Sequence, residues 1–204
     1  MSAPRGPLRK RNSNIWAREE HDHYVEDGWC SARLFEEEKF EGSVVDPSCG
    51  FGRIVASARA AGYYSWGSDI VQRTPAAAQY DFLDRTWPGA PKIVDNIVSN
   101  PPFDLCSDRE TGRALYVEKA LDMARCKVAL LLPANWHVGD KRSRWLESTP
   151  LRRVLFLTPR PSMPPGHVIA AGEKPGNGTK DYAWFVWLRG YDGPWSGGWL
   201  RRDP

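Results

Sequence analysis

Apolar residues along this chain follow two alternating rhythms. Short, nearly continuous β-rich runs predict buried strands at 43–46, 63–69, 93–99, 127–132, 153–158 and 182–189. Helical spacing separates most of them. Trp29, Ala32, Leu34 and Phe35 recur with helical period, so 29–40 reads as an amphipathic helix leading into the first strand, with Glu36, Glu37 and Glu38 as its solvated face. Further helices are expected at 52–61, 71–79, 110–125 and 139–148. Alternation of this kind implies a mostly parallel sheet with helices on both faces. The last two strands break it, because only the Pro- and Gly-rich stretch 159–181 lies between them; if adjacent, they must pair antiparallel. A connection of that length is usually functional or disordered, and its Pro-rich first half points to substrate engagement.

Candidate chemistry begins where the run 93–99 ends abruptly on Asn100-Pro101-Pro102-Phe103. The tip of a buried strand is where α/β enzymes place reactive groups. Proline fixes its own φ and restrains the residue before it, so the Asn100 side-chain carbonyl and a neighbouring backbone carbonyl are held in one direction. Two convergent neutral acceptors followed by an aromatic ring suit a planar group that bears an NH2. Some fifty residues upstream, Val44-Val45-Asp46-Pro47-Ser48-Cys49-Gly50-Phe51-Gly52 reads as strand and glycine loop, continuing into a helix that closes on Gly62. That loop matches neither G-x-G-x-x-G nor a phosphate-cradling P-loop, although its glycines allow close approach of backbone to a ligand. Asp69, at the end of the second strand and followed by Ile70, is placed to grip a ribose diol. Asp81 and Phe82 supply an acceptor and a ring for adenine.

The order and spacing of Asp46-Pro-Ser-Cys-Gly-Phe-Gly52, Asp69, Asp81-Phe82-Leu83 and Asn100-Pro-Pro-Phe103 resemble those of amino-methyltransferases that use S-adenosylmethionine. Within these, the chain is most similar to DNA adenine-N6 methyltransferases of the short phage type, over residues 20 to 190. The resemblance implies a Rossmann-like fold with a mostly parallel seven-stranded sheet and a C-terminal antiparallel hairpin. It places Asp46, Cys49, Gly50 and Gly52 around the methionine end of the cofactor, Asp69 at its ribose and Asp81 with Phe82 at its adenine, with Pro47 and Ile70 as further cofactor-binding residues. Tyr24 and Glu26 fall where the family has a Tyr-x-Thr-Pro-like segment closing over the methionine moiety, with Glu26 and Asp27 in place of Thr and Pro. Asn100, Pro101, Pro102 and Phe103 would carry the catalysis. The same turn also serves enzymes that methylate RNA adenine, cytosine N4 or a protein glutamine, so RNA is the second substrate class. A cofactor-binding but inactive nucleic-acid module is a reading from a different class.

At 204 residues the chain fits one domain, expected over 15–204 behind a disordered basic arm at 1–14, with no room for a separate target-recognition domain. A net charge of +3 is compatible with a polyanionic partner without demanding one. Cations cluster at the ends, as Arg5, Arg9, Lys10, Arg11 and Arg18, then Arg201 and Arg202, while Trp136, His137, Lys141, Arg142 and Arg144 follow the strand at 127–132 as candidate DNA contacts. Most of the ten tryptophans are expected in the core rather than in recognition. No C-x-x-C pair accompanies His21 and His23, so no metal is expected, since a closed zinc site needs four ligands. Unpaired cysteines and the absence of a signal-like or membrane-length apolar stretch predict a cytoplasmic protein with no membrane association.

Overall fold

The computed structural model describes residues 23–84, 93–173, 176 and 178–203. The basic arm at 1–14 and its cations lie outside the described residues, as does His21. In chain order the elements are α1 (Gly28–Glu37), β1 (Val44–Asp46), α2 (Arg53–Ala60), β2 (Ser65–Asp69), β3 (Ala78–Gln79), β4 (Val94–Ser99), α3 (Leu115–Met123), β5 (Ala124–Pro133), α4 (Asp140–Glu147), β6 (Leu151–Thr158), α5 (Gly166–Ala170), β7 (Tyr182–Leu188) and β8 (Ser196–Arg201). One 3-10 turn, Phe103–Cys106, follows β4. The strands form a single sheet in the order β3-β2-β1-β4-β5-β7-β6-β8. β1, β2, β3, β4 and β5 pair parallel, β7 runs antiparallel to both β5 and β6, and β8 lies parallel to β6. The upper rim of the sheet therefore collects the C-terminal ends of β1, β2, β4, β5, β6 and β8 and the N-terminal end of β7.

The core explains why the central strands read as continuous apolar runs. In β7, Ala183, Phe185 and Trp187 enter a cluster with Tyr116, Val117 and Ala120 of α3 and Leu146 of α4. Tyr182, Trp184 and Val186 enter the opposite cluster with Leu34 and Phe35 of α1 and Ile54 and Ala58 of α2. Both faces of the strand are thus covered, which is the arrangement that erases polar alternation. Each fully buried large apolar side chain contributes roughly 1.5–3 kcal/mol, so β7 is a main source of stability. Its buried indoles are also satisfied: Trp184 Nε1 donates to the Cys30 carbonyl at 2.9 Å and Trp187 Nε1 to Thr149 Oγ1 at 3.0 Å. Asn96, fully buried within β4, donates to the carbonyls of Glu41 and Ser43 and accepts from Lys127 N, so this polar residue stitches β4 to its two neighbours.

Four sequence expectations are corrected. The sheet has eight strands rather than seven. β8, Ser-Gly-Gly-Trp-Leu-Arg, carries two glycines and no sustained alternation, and only its register with Arg153–Thr158 of β6 makes it a strand. No helix forms at 71–79: Asp69 Oδ1 takes the Val71 N–H and the Arg73 guanidinium, Pro75 interrupts the segment, and Ala78–Gln79 joins the sheet instead. The helix expected from 110 starts only at Leu115, because Asp108 accepts from Glu110 N and from Thr111 Oγ1 and so holds a turn that Gly112 completes at φ +75°.

The fourth correction concerns Glu38, which is buried rather than solvated. Its carboxylate accepts from Lys127 Nζ and Arg153 Nη1, both at 2.7 Å, and ties the end of α1 to β5 and β6. Burial pushes this carboxyl up, but the hydrogen bonds and charges of Lys127 and Arg153 outweigh it and hold it below the usual range. A depressed carboxyl contributes stability above its unfolded value, near 4.5, and loses it as pH falls through the lower folded value. Glu38→Gln is therefore expected to cost about 2–3 kcal/mol at neutral pH, the buried-pair penalty reduced for the partial exposure of Arg153. Urea denaturation should show that cost shrinking as pH drops below 4.5, and a pH-independent difference would refute the pairing.

Candidate active site

The upper rim carries a pocket of about 730 Å³, counting space open to solvent, bounded by the ends of β1, β2 and β4. At its back, Asp46 ends β1 and is almost fully buried. Its Oδ1 accepts from Ser99 Oγ at 2.7 Å and from Ser48 N at 3.1 Å. The buried Tyr116 hydroxyl stands within 2.9 Å of Ser48 Oγ and 3.0 Å of Ser99 Oγ, so one hydroxyl network joins the tips of β1 and β4. Burial pushes the Asp46 carboxyl well above its usual range, the Ser99 and Ser48 bonds pull the other way, and the nearby Glu26 and Asp69 charges raise it further.

The glycine loop follows. Gly50 and Gly52 have φ of +49° and +78°, conformations that a side chain would strain. A Cβ on Gly50 would also stand 2.5 Å from His23 Nε2, so the loop packs against the incoming N-terminal segment with no room to spare. Gly67 of β2 serves the same packing from beneath, since a Cβ there would lie 2.6 Å from that of Cys49. Burial, followed by the charges of Asp46 and Asp69, pushes the Cys49 thiol up to about 12. That thiol stays protonated and is unsuited to nucleophilic work.

Asp69 sits in the pocket wall, but its carboxylate is already engaged. Oδ2 accepts from Gly50 N at 2.8 Å, while Oδ1 accepts from Val71 N at 3.0 Å and Arg73 Nη1 at 2.7 Å. Three of the roughly four lone-pair positions of a carboxylate are thus used inside the protein. Ile70, exposed, adds an apolar surface to the wall. Asp81 lies at the exposed rim, accepting from Leu83 N, whereas Phe82 is buried with its ring 4.7 Å from that of Tyr116. Pro47 and Cys49 line the pocket as well; Gly52, at the N-terminal boundary of α2, is not among the lining residues.

The turn after β4 faces the same space. Asn100 Nδ2 donates to the Tyr24 carbonyl at 2.8 Å and to Glu26 Oε2 at 3.1 Å. Both amide hydrogens are spent on the N-terminal segment, which leaves Oδ1 as the group Asn100 offers to a ligand. That segment is itself strapped to the long β6–β7 connection: Tyr24 bridges Pro165, Val25 N donates to the Pro164 carbonyl, and Gly166 N donates to the His23 carbonyl. The structure thus brings Tyr24 and Glu26 to the pocket by a contact that sequence spacing does not reveal. Pro102 lines the pocket; Pro101 is buried behind it, and Phe103 turns away, half-buried, with its ring 5.9 Å from that of Tyr182. Arg53 and Arg73 were not singled out from the sequence. Arg53 donates to the Glu26 carbonyl at 2.8 Å, and the only sequence hint for Arg73 is its i+4 spacing from Asp69.

Of the cations considered for DNA contact after β5, Arg142 is buried, its guanidinium 4.5 Å from the Trp136 ring and 5.4 Å from the Trp145 ring. Trp136 donates Nε1 to the Cys106 carbonyl and packs on Phe185 and Trp187. These two residues are packing elements. Lys141 and Arg144 remain exposed, the first donating to the Glu110 carbonyl and the second paired with Asp140. No group of three or more potential metal ligands occurs among the described residues, and no helix there is long and apolar enough to cross a membrane.

A parallel sheet that turns antiparallel at β7, helices on both faces, and a pocket at the strand tips make an α/β fold like that of solved methyltransferases. Three solved structures are similar to it in this respect. PH1948 of Pyrococcus horikoshii, named as a candidate RNA methyltransferase, aligns over 88% of this chain and 93% of its own with a TM-score of 0.57 at 14% identity. The M protein of the type I restriction enzyme EcoKI aligns over 81% of this chain and 44% of its own with a TM-score of 0.55 at 13% identity. A protein described for conversion of a disulfide into a thioacetal in echinomycin biosynthesis aligns over 82% and 83%, with a TM-score of 0.54 at 13% identity. Such different acceptors on one fold mean that the likeness establishes architecture alone. No protein-family model matches the sequence, and no curated protein matches it either.

Glu26 offers a direct test of this geometry. Burial raises its carboxyl above the ordinary 4.5, opposed by a backbone hydrogen bond, the Asn100 amide and the Arg53 charge. A raised carboxyl contributes its full stability below the unfolded value, and that contribution is lost as pH rises through the folded value. Glu26→Gln keeps an acceptor for Asn100 and removes the ionisation. Its melting temperature is expected to match wild type below 4.5 and to exceed it increasingly as pH rises; a constant offset would mean that the carboxyl titrates as it does in water.

Proposed function

We propose that this chain transfers the methyl group of S-adenosylmethionine to the exocyclic N6 amine of adenine in DNA. The observation that carries this reading is the clamped amide of Asn100, whose hydrogens are taken by Tyr24 and Glu26 so that Oδ1 is an acceptor at the wall of the pocket. An adenine amine is a poor nucleophile because its lone pair is delocalised into the ring. Asn100 Oδ1 and the Pro101 carbonyl would accept its two N–H groups, favouring a pyramidal nitrogen and the positive charge that develops on it. Prepositioned dipoles of this kind act chiefly in the transition state. Pro101 and Pro102 keep both carbonyls aimed; Phe103, turned towards Tyr182 here, would stack on a base taken out of its stack only after swinging back to the pocket.

The residues of the pocket suit the cofactor by charge. Glu26, Asp46 and Asp69 are buried acidic groups around it, and a ligand that carries a sulfonium and an ammonium group would favour their charged forms. Bound there, the cofactor supplies an electrophilic methyl group; orientation is left to the protein. Asp46, Pro47, Cys49 and Gly50 would surround its amino-acid end under the strap of Tyr24 and Glu26. Asp69 would accept from the ribose through the lone pair left on Oδ2, with Arg73 competing at Oδ1, and Ile70, Asp81 and Phe82 would bound the adenine. RNA adenine is the second reading; the same turn would serve it equally, and PH1948, alike in fold, is named as a candidate RNA methyltransferase.

Incubation with radiolabelled S-adenosylmethionine, separation of DNA, RNA and protein, and nucleoside analysis of the labelled pool test the assignment. Label on N6 of deoxyadenosine is expected; label on adenosine selects RNA, and label on protein glutamine overturns the nucleic-acid reading. Asn100→Ala should lower kcat by about a hundredfold or more, the size of a lost transition-state acceptor, with cofactor affinity nearly unchanged. Calorimetry separates this from collapse of the strap, which would weaken cofactor binding in step with turnover.

A further inference from the structure

Beyond Phe103, the same rim of the sheet opens into a second groove of about 1360 Å³, counting space open to solvent. It is an open groove along the strand ends rather than an enclosed cavity. The ends of β5, β6, β7 and β8 form it, with Val138, Phe156, Lys180, Tyr182 and Trp199 in its lining. Tyr182 contacts the Phe103 ring, so the groove starts at the back of the Asn100 turn and runs towards β8.

β8 gives this groove an unusual surface. Leu200 points inward and is buried, so Gly197, Trp199 and Arg201 share the outer face. Trp199 is 66% exposed, although it stands in a regular strand, and Val138 in the same groove is 67% exposed. The indole is backed by its register partner Phe156, with ring centroids 5.4 Å apart, and the glycine two residues before it leaves one side clear. About 6.6 Å further along the strand, at two rises of ~3.3 Å, comes Arg201. Arg201, Arg202 and Lys180 are exposed and form no ion pair among the described residues, while Asp181 is taken up by Arg160 at 2.6 Å. A supported, open aromatic face followed by cations at strand spacing is the pattern that stacks a base and neutralises its phosphate.

We propose that this outer face of β8, with Trp199 as its platform, binds an unpaired nucleobase beside the target, so that the substrate strand is held locally single-stranded along the groove. The proposal rests on the methyltransferase reading for the role of the groove, but its binding chemistry stands apart from turnover. Duplex bases cannot present a face to Trp199, whereas every unpaired base can, which makes the contact tolerant of sequence.

Trp199 is exposed at the sheet edge, so its replacement should leave the fold intact, which circular dichroism and melting check. Binding of a fluorescein-labelled mixed-sequence DNA strand of about 16 nucleotides, near the upper site size for such grooves, is measured by anisotropy with S-adenosylhomocysteine present. Trp199→Ala is expected to weaken binding by roughly 5- to 150-fold, as for loss of one stacked base, with Trp199→Phe restoring most of it and cofactor affinity unchanged. Arg201→Ala with Arg202→Ala should flatten the dependence of affinity on salt by about one to two contacts. Wild-type affinity in Trp199→Ala, or equal loss for a fully paired duplex, overturns the proposal whether or not methyl transfer is seen. Loss of single-strand binding in a protein that methylates no nucleic acid keeps this surface and removes the reading of the reaction.

Discussion

The hydrogen bonds converging on Asp46 hold the rest of the site in place. A carboxylate buried at the tip of β1 is costly unless it is satisfied. Here Ser99 from the tip of β4 and the backbone of Ser48 satisfy it, with Tyr116 of α3 bridging the two serine hydroxyls. The glycine loop leaves from one end of this network and Asn100 follows directly from the other. Their separation is therefore set by a few short bonds inside the core, not by the loops themselves, and such support is what would keep the proposed reacting groups in register.

Around that anchor the protein gathers carboxylates where burial alone would disfavour them. Glu26 and Asp46 are both pushed above their ordinary range by burial, and each is near other acids. Acidic groups gathered in this way are a cost to folding that the proposed cationic cofactor would relieve on binding. Arg73 and Arg53 moderate it in the free protein, the first on Asp69 and the second on the backbone of Glu26. The strap formed by residues 23–26 then couples the two sides of the rim, since it holds Asn100 while pairing with Pro164–Gly166 in the connection between β6 and β7. Acceptor geometry at the turn and the conformation of that connection are consequently parts of one hydrogen-bonded unit.

Exposed aromatics sort by element in the same way. Trp184 and Trp187 lie in a strand covered on both faces, and each indole N–H finds an acceptor. Trp199 lies on the outermost strand, where no helix covers its outward face. Identical side chains thus serve cohesion in one place and presentation in the other, according to the number of layers above them.

Much of the architecture was legible in the chain because it depends on local period and on backbone chemistry. Buried strands show as apolar runs, the helices flanking them by their 3.6-residue period, and the strand tips by Gly50, Gly52, Pro101 and Pro102, whose φ preferences act without help from distant residues. The strand-tip positions of Asp46, Asp69 and Asn100 were readable for that reason: the first two end strands and the third directly follows one. Other features depend on partners far away in sequence. Glu38 reads as solvated until Lys127 and Arg153 are folded onto it, β8 is no strand without β6, and 71–79 has helical spacing that Asp69 and Arg73 override. Which hydrogens of Asn100 are spent, how many lone pairs Asp69 retains and which way Phe103 faces were likewise decided only in three dimensions. Hydrogen bonds and burial are properties of pairs, and a linear pattern specifies pairs only when they lie within a turn or two of one another.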